Sequence, residues 1–136
     1  MSDPAITDPA DQARQIAAVF ARMSRSMDAY IRDHFEELTP NQLDFLNDVT
    51  QRLDDAHDRF IVMAIRGTLD ALKDDLNELA TITGRAEQAL AHLNKVAEIA
   101  KIAGALAELC ADITTADFGA IPSALVDLAK ALPETE

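Results

Sequence analysis

Cysteine occurs once in this chain of 136 residues, tryptophan is absent, and aromatic residues make up only 4% of the whole. A single thiol, Cys110, excludes an intrachain disulfide, and no other feature points to an oxidising compartment. With so few aromatics, any core must be built from Ala, Leu, Ile, Val and Met. Four glycines and five prolines leave too little turn material for an all-β fold. Basic residues are also scarce, 12 against 24 acids for a net charge of −12. That balance argues against charge-driven binding to a phosphate backbone and against simple docking on an anionic membrane. No uninterrupted apolar run approaches the ~20 residues of a spanning helix, and even residues 96–113 carry four charges. The N-terminal MSDPAITDPADQ has acids where a signal or transit peptide needs positive charge. The expected location is cytoplasmic, or exported without a cleaved signal peptide.

What the chain has in abundance is alanine, 25 residues, the strongest intrinsic helix former. The expected fold class is all-α, an antiparallel bundle of four to five helices in one domain over residues 8–132, with tails at 1–7 and 133–136. Helix starts are legible. Asp8-Pro9 and Thr39-Pro40 each set a capping side chain before a proline at the first helical position, and Gln42 completes a capping box with Thr39. A first helix over about Pro9 to Leu38 and a second from Pro40 follow, joined so closely that they pack as an antiparallel hairpin.

The first helix carries the seam Ile16, Phe20, Met23, Met27, Tyr30, His34 and Leu38, and the second repeats it with Leu43, Leu46, Leu53, Phe60 and Ala64 or Met63. At Phe60-Ile61-Val62-Met63-Ala64-Ile65 the stripe widens into a broad apolar band. A new heptad seam runs Leu69, Leu72, Leu76, Leu79, Thr83, Ala86, Leu90, Leu93, Ala97, Ala100, Gly104 and Ala107. Two chain breaks compete, one at Gly67-Thr68 where the seam changes and one at Thr81-Ile82-Thr83-Gly84 where helix formers are weak. From about 85 to 112 the reading is a nearly wholly apolar central helix. Within Leu90 to Ile113 the charges Lys95, Glu98, Lys101, Glu108 and Asp112 fall within roughly 140° at 100° per residue, so other helices are expected to cover the rest. Pro122 opens a final short helix with Leu125, Leu128, Ala129 and Leu132 facing inward.

No catalytic, cofactor-binding or metal-ligating residues stand out. Asp54-x-x-His57 has the spacing that places a carboxylate and an imidazole on one helix face, and His34-x-x-Glu37 reverses it. A carboxylate-bridged di-metal bundle needs Glu-x-x-His twice, with acids from two further helices, so both histidines read better as partly buried residues that cross-pack within the first hairpin. Ser24, Ser26 and Ser123 lack a nucleophile elbow, and phosphate-loop and dinucleotide motifs are absent. Cys110, among Leu106, Leu109 and Ile113, reads as a small buried apolar residue. Acids are concentrated in residues 39–83, nine against four bases, whereas residues 84–112 hold four against three. Arg52, Arg59, Arg66 and Lys73 are spaced to pair with those acids along one face.

The function this supports is a non-enzymatic, cytoplasmic helical-bundle protein of bacterial style. It would act on a protein partner, or on a second copy of itself as a homodimer, as an adaptor, chaperone, antitoxin-like or regulatory module. No cofactor and no direct nucleic-acid binding are expected. One alternative is the soluble form of a membrane-active protein that releases its apolar C-terminal helices, Val96 to Leu132. A weaker one is acidic mimicry of nucleic acid by Asp44, Asp48, Asp55 and Asp58. The homodimer rests on the long seam, whose small residues Ala97, Ala100, Gly104 and Ala107 are expected to allow close approach.

Overall fold

The computed structural model describes residues 8–92 and 95–133, and every regular element among them is helical. The α-helices are α1 (Pro9–Asp33), α2 (Pro40–Arg66), α3 (Leu76–His92), α4 (Val96–Thr114) and α5 (Ile121–Ala131), with 3-10 turns at Phe35–Glu37 and Phe118–Ala120. The tail expected at 1–7, and residues 134–136 of the one expected at 133–136, lie outside the described residues.

Local chemistry sets the ends of α1 and α2. Asp8 accepts from the Ala10 amide at 3.1 Å. Thr39 and Gln42 form the full capping box, at 3.1 Å from the Gln42 amide to the threonine hydroxyl and 2.9 Å from the Thr39 amide to the glutamine carbonyl. α1 stops at Asp33, sooner than the expected Leu38, because Pro40 bars Thr39 from helical backbone and the chain must turn before it. Gly67, with φ +68°, closes α2 in the left-handed conformation that only glycine adopts cheaply. The break therefore falls at Gly67, and Gly84 lies inside α3.

Pairs between helices fix their directions. Gln12 bonds Asn77 and Arg22 bonds Glu87 at 2.8 Å, a constant offset of 65 residues that makes α1 and α3 parallel. Phe45 lies 4.0 Å from where a Cβ on Gly104 would stand, and Arg52 is close enough to Cys110 to act on its charge, so α2 and α4 also run parallel. α5 runs back along α4, placing Asp127 beside Glu108 and Leu132 beside Lys101. Consecutive helices thus alternate in direction. Around the core the order is α3, α1, α2, α4, α5, and α5 closes the ring by touching both α4 and α3. Inside, Phe20 and Phe60 stack with centroids 5.7 Å apart among fully buried Ile16, Met23, Leu53, Leu79, Ile102 and Leu106. The seams of α1 and α2 are buried as expected, apart from His34, Leu38 and Leu43, which are half-buried.

The central helix expected over 85–112 is instead the end of α3 and most of α4, with extended backbone at Lys95 (φ −87°, ψ 127°). One continuous helix from 76 to 114 would be roughly 58 Å long at 1.5 Å per residue, against roughly 40 Å for α2. It would overrun its partners, whereas folding back lays Ile99, Ile102, Leu106, Leu109 and Ile113 on α2 and α5. The heptad seam accordingly holds along α3 from Leu76 to Leu90 and fails on both sides, for Leu69 and Leu72 are buried from a non-helical turn segment. Leu93 lies outside the described residues, Ala97 and Gly104 are exposed, and Ala100 and Ala107 are half-buried.

Nor is α4 covered all round. Its seven buried residues, from Ile99 to Ile113, span roughly 120° of the helix. The remaining apolar positions are mostly alanine and glycine, whose small side chains cost little to leave in water at about 25 cal/mol per Å². Counting alanine with leucine made this helix read as more buried than it is.

Candidate functional site

The outer face of α2 carries the most distinctive chemistry on the surface. Asp44, Asp48, Asp55, Asp58, Val62 and Ile65 fall within roughly 100° of one another on this helix, and all are exposed. Toward the C-terminal end the acids stop. Val62 remains 42% exposed and Ile65 72%, because the apolar band at residues 60–65 reaches right round the helix while only Phe60, Met63 and Ala64 find the core. Arg59 and Arg66 edge this patch, two turns apart on one face.

Beside the patch lies a cleft of about 240 Å³, lined by Arg59, Val62, Met63, Arg66, Thr68, Ala116 and Phe118. One wall is the i, i+3, i+4, i+7 stripe of α2, and the other is the linker between α4 and α5. Ala116 in that linker takes φ +60°, a left-handed conformation that costs a non-glycine residue about 1–2 kcal/mol. Arg52 bonds Asp48 at 2.8 Å, but neither Arg59 nor Arg66 has an ion-pair partner among the described residues. The Arg59 Nε is buried and unbonded, which costs such a donor about 1–3 kcal/mol or more. Arg66 gains from the carbonyl end of α2. Arg59, two turns earlier, has no such compensation. The same-face pairing expected along α2 is therefore realised only at Arg52.

The other singled-out residues are not gathered into a site. His34 stacks on Tyr30 at 4.1 Å and donates through Nδ1 to the Tyr30 carbonyl, while His57 meets Asp58 at 2.9 Å. The two do not cross-pack, since His34 caps the end of α1 and His57 lies mid-way along α2. His57 also bonds Asp58 rather than the Asp54 of its i, i+3 motif. A cavity of about 260 Å³ brings Ser26, Tyr30, Asp33, His34 and Leu90 together. Among the described residues His34 hydrogen-bonds neither Ser26 nor Asp33 there. Burial, then the Glu37 charge, raises the Tyr30 hydroxyl above its ordinary pKa. Cys110 is fully buried, and burial pushes its thiol far up, so it stays protonated. Among the described residues no cluster of three His, Cys, Asp or Glu side chains is placed to hold a metal.

Acids also crowd where α4 meets α5. Glu108 is held above the ordinary carboxylate range, first by the hydrogen-bonding contact with Asp127, then by partial burial and the charges of Asp127 and Asp112. Asp112 is raised by burial and by Asp117. Carboxyls raised in the folded state bind protons more tightly there than in the unfolded chain, so acid favours this joint. Among the described residues no helix is long and apolar enough to cross a membrane.

Sequence reasoning missed Arg59 and Arg66 as a pair. The available signal was that Arg66 has Val62 and Met63, not acids, one turn back. Compared with known proteins, the chain matches no family model, no curated protein and no solved structure.

Proposed function

We propose that this protein is a non-enzymatic binding module that docks a protein partner on the C-terminal outer face of α2. The observation that carries the reading is the exposed Val62 and Ile65 pair, edged by two arginines without acidic partners in a chain of net charge −12. Apolar surface flanked by arginine is the composition that interface centres favour. A second copy of the chain is the poorer occupant. Antiparallel pairing of two α2 helices that sets Asp44 opposite Arg66 also sets Asp55 against its own copy at the centre of the contact.

The test is site-specific photo-crosslinking in cells. A photoreactive residue at position 62 or 65 is expected to trap a discrete partner that the same residue at 44 does not. Equal trapping at all three positions, or trapping only of a second copy of the chain, contradicts the reading.

A further inference from the structure

The cleft at the end of α2 has a chemistry of its own, and it narrows the kind of partner that fits. We infer that the cleft between Arg59, Arg66 and Phe118 receives the free C-terminal carboxylate of a partner chain ending in an aliphatic residue. The inference rests on the docking reading above and names the part of the partner that enters.

Three observations converge. Arg59 and Arg66 both line the cleft, and neither is neutralised by an acid among the described residues. The buried, unbonded Arg59 Nε is a guanidinium N–H, whose natural partner is a carboxylate oxygen. Between the arginines, Val62 and Met63 present apolar surface that Phe118 faces from the opposite wall. An anion with an apolar body uses both features, whereas a bare anion leaves the hydrocarbon wall unused.

Charge decides which anion. Asp58 and Asp117 neighbour the cleft-lining Arg59 and Phe118 in sequence and are exposed, so a singly charged carboxylate is repelled less than a doubly charged phosphate. An Asp or Glu side chain on a partner puts its carboxylate at the far end of a stem, with no second apolar group beside it. A C-terminal residue carries its carboxylate and its side chain on the same carbon, so both enter a cleft of about 240 Å³ together. The preceding residues of the partner then lie along Val62 and Ile65, continuous with the cleft on α2. That continuity favours a chain terminus over a free small acid.

Calorimetry and amide chemical shifts of the full chain test this with three probes: the tetrapeptide acetyl-Gly-Ala-Val-Leu with a free carboxylate, the same peptide amidated, and isovalerate. The free-acid peptide is expected to bind about tenfold or more tightly than the amide, with shifts centred on Thr68, Ala116 and Phe118. Arg66→Gln, at an exposed position, should remove most of that discrimination, and Arg59→Gln should do the same. Ile65→Ser is expected to weaken both peptides while preserving their ratio. Equal binding of acid and amide overturns the carboxylate assignment but leaves docking on α2 intact. Isovalerate binding as tightly as the peptide overturns the chain-terminus assignment. If neither peptide shifts the cleft amides, the cleft is not the site. Discrimination at the cleft with no partner trapped through position 62 or 65 contradicts the docking reading instead.

Discussion

The first and last parts of the outer face of α2 are continuous helix over one continuous inner seam, yet their surfaces have opposite chemistry. From Asp44 to Asp58 the face holds four aspartates, one of them bonded to Arg52, and from Arg59 to Arg66 it holds two arginines, Val62 and Ile65. Inside, Leu46, Val49, Leu53, Phe60 and Met63 are buried alike along the whole length. The fold therefore accounts for the inner face and leaves the outer one free. What differs between the two stretches is not needed for folding, and that is why the apolar and basic stretch reads as a surface for something else.

Experiments that separate the two faces should do so by magnitude. The largest effect belongs to the shared inner seam. Phe60→Ala, which removes half of the stack with Phe20, should cost about 3–5 kcal/mol in urea denaturation. A loss under 1 kcal/mol would mean that the α2 core is not packed as described. Next comes the stop that ends the apolar stretch. Gly67→Ala has open space around its new Cβ, but φ +68° strains it, so destabilisation of about 1–2 kcal/mol is expected. Gly84→Ala, equally unhindered but inside a helix, should instead stabilise by about 0.5–1 kcal/mol, and the opposite signs of the two glycines are the check.

Smaller still is the pH effect at the joint of α4 and α5, where crowded acids contrast with the solvated aspartates of α2. Local hydrogen-exchange protection of α5 should rise as pH falls from neutral toward the ordinary carboxylate range, because Glu108 and Asp112 are raised in the folded state. Asp127→Asn should flatten that dependence. A loss of α5 protection on mild acidification would reverse the assigned sign. The smallest effect is the one that sharpens the comparison most. Asp55→Asn and Ile65→Ser should both leave stability within about 0.5 kcal/mol while only the second alters binding. A large stability loss for Ile65→Ser would make the patch part of the fold.

Sequence patterning was most informative where side chains act locally. The capping pairs at Asp8 and Thr39, the alternating seams of α1 and α2 and the short terminal helix after Pro122 all depend on neighbours within one or two turns. Gly67 and Gly84 were equal candidates for a break because the αL requirement at one and the helical comfort of the other are set by what packs around them. The separation of α3 from α4 was hidden for a different reason. Alanines continue the heptad arithmetic without needing burial, so the pattern ran on past the point where the chain folds back. The cleft was the least legible feature, since Arg59 has Asp55 one turn before it and looks neutralised until the side chains are placed.

The closing of the ring by α5 bears on how the protein is made. During synthesis α1 and α2 can pair as soon as they emerge, and α3 and α4 can settle beside them, but the gap between α3 and α4 stays open until residues 121–131 arrive. Up to that moment the nascent chain presents a greasy slot to the cell, and afterwards Ile121, Leu125 and Leu128 fill it. A chain lacking those eleven helical residues is thus a four-helix scaffold with an unsealed interior, a natural substrate for chaperones and proteases.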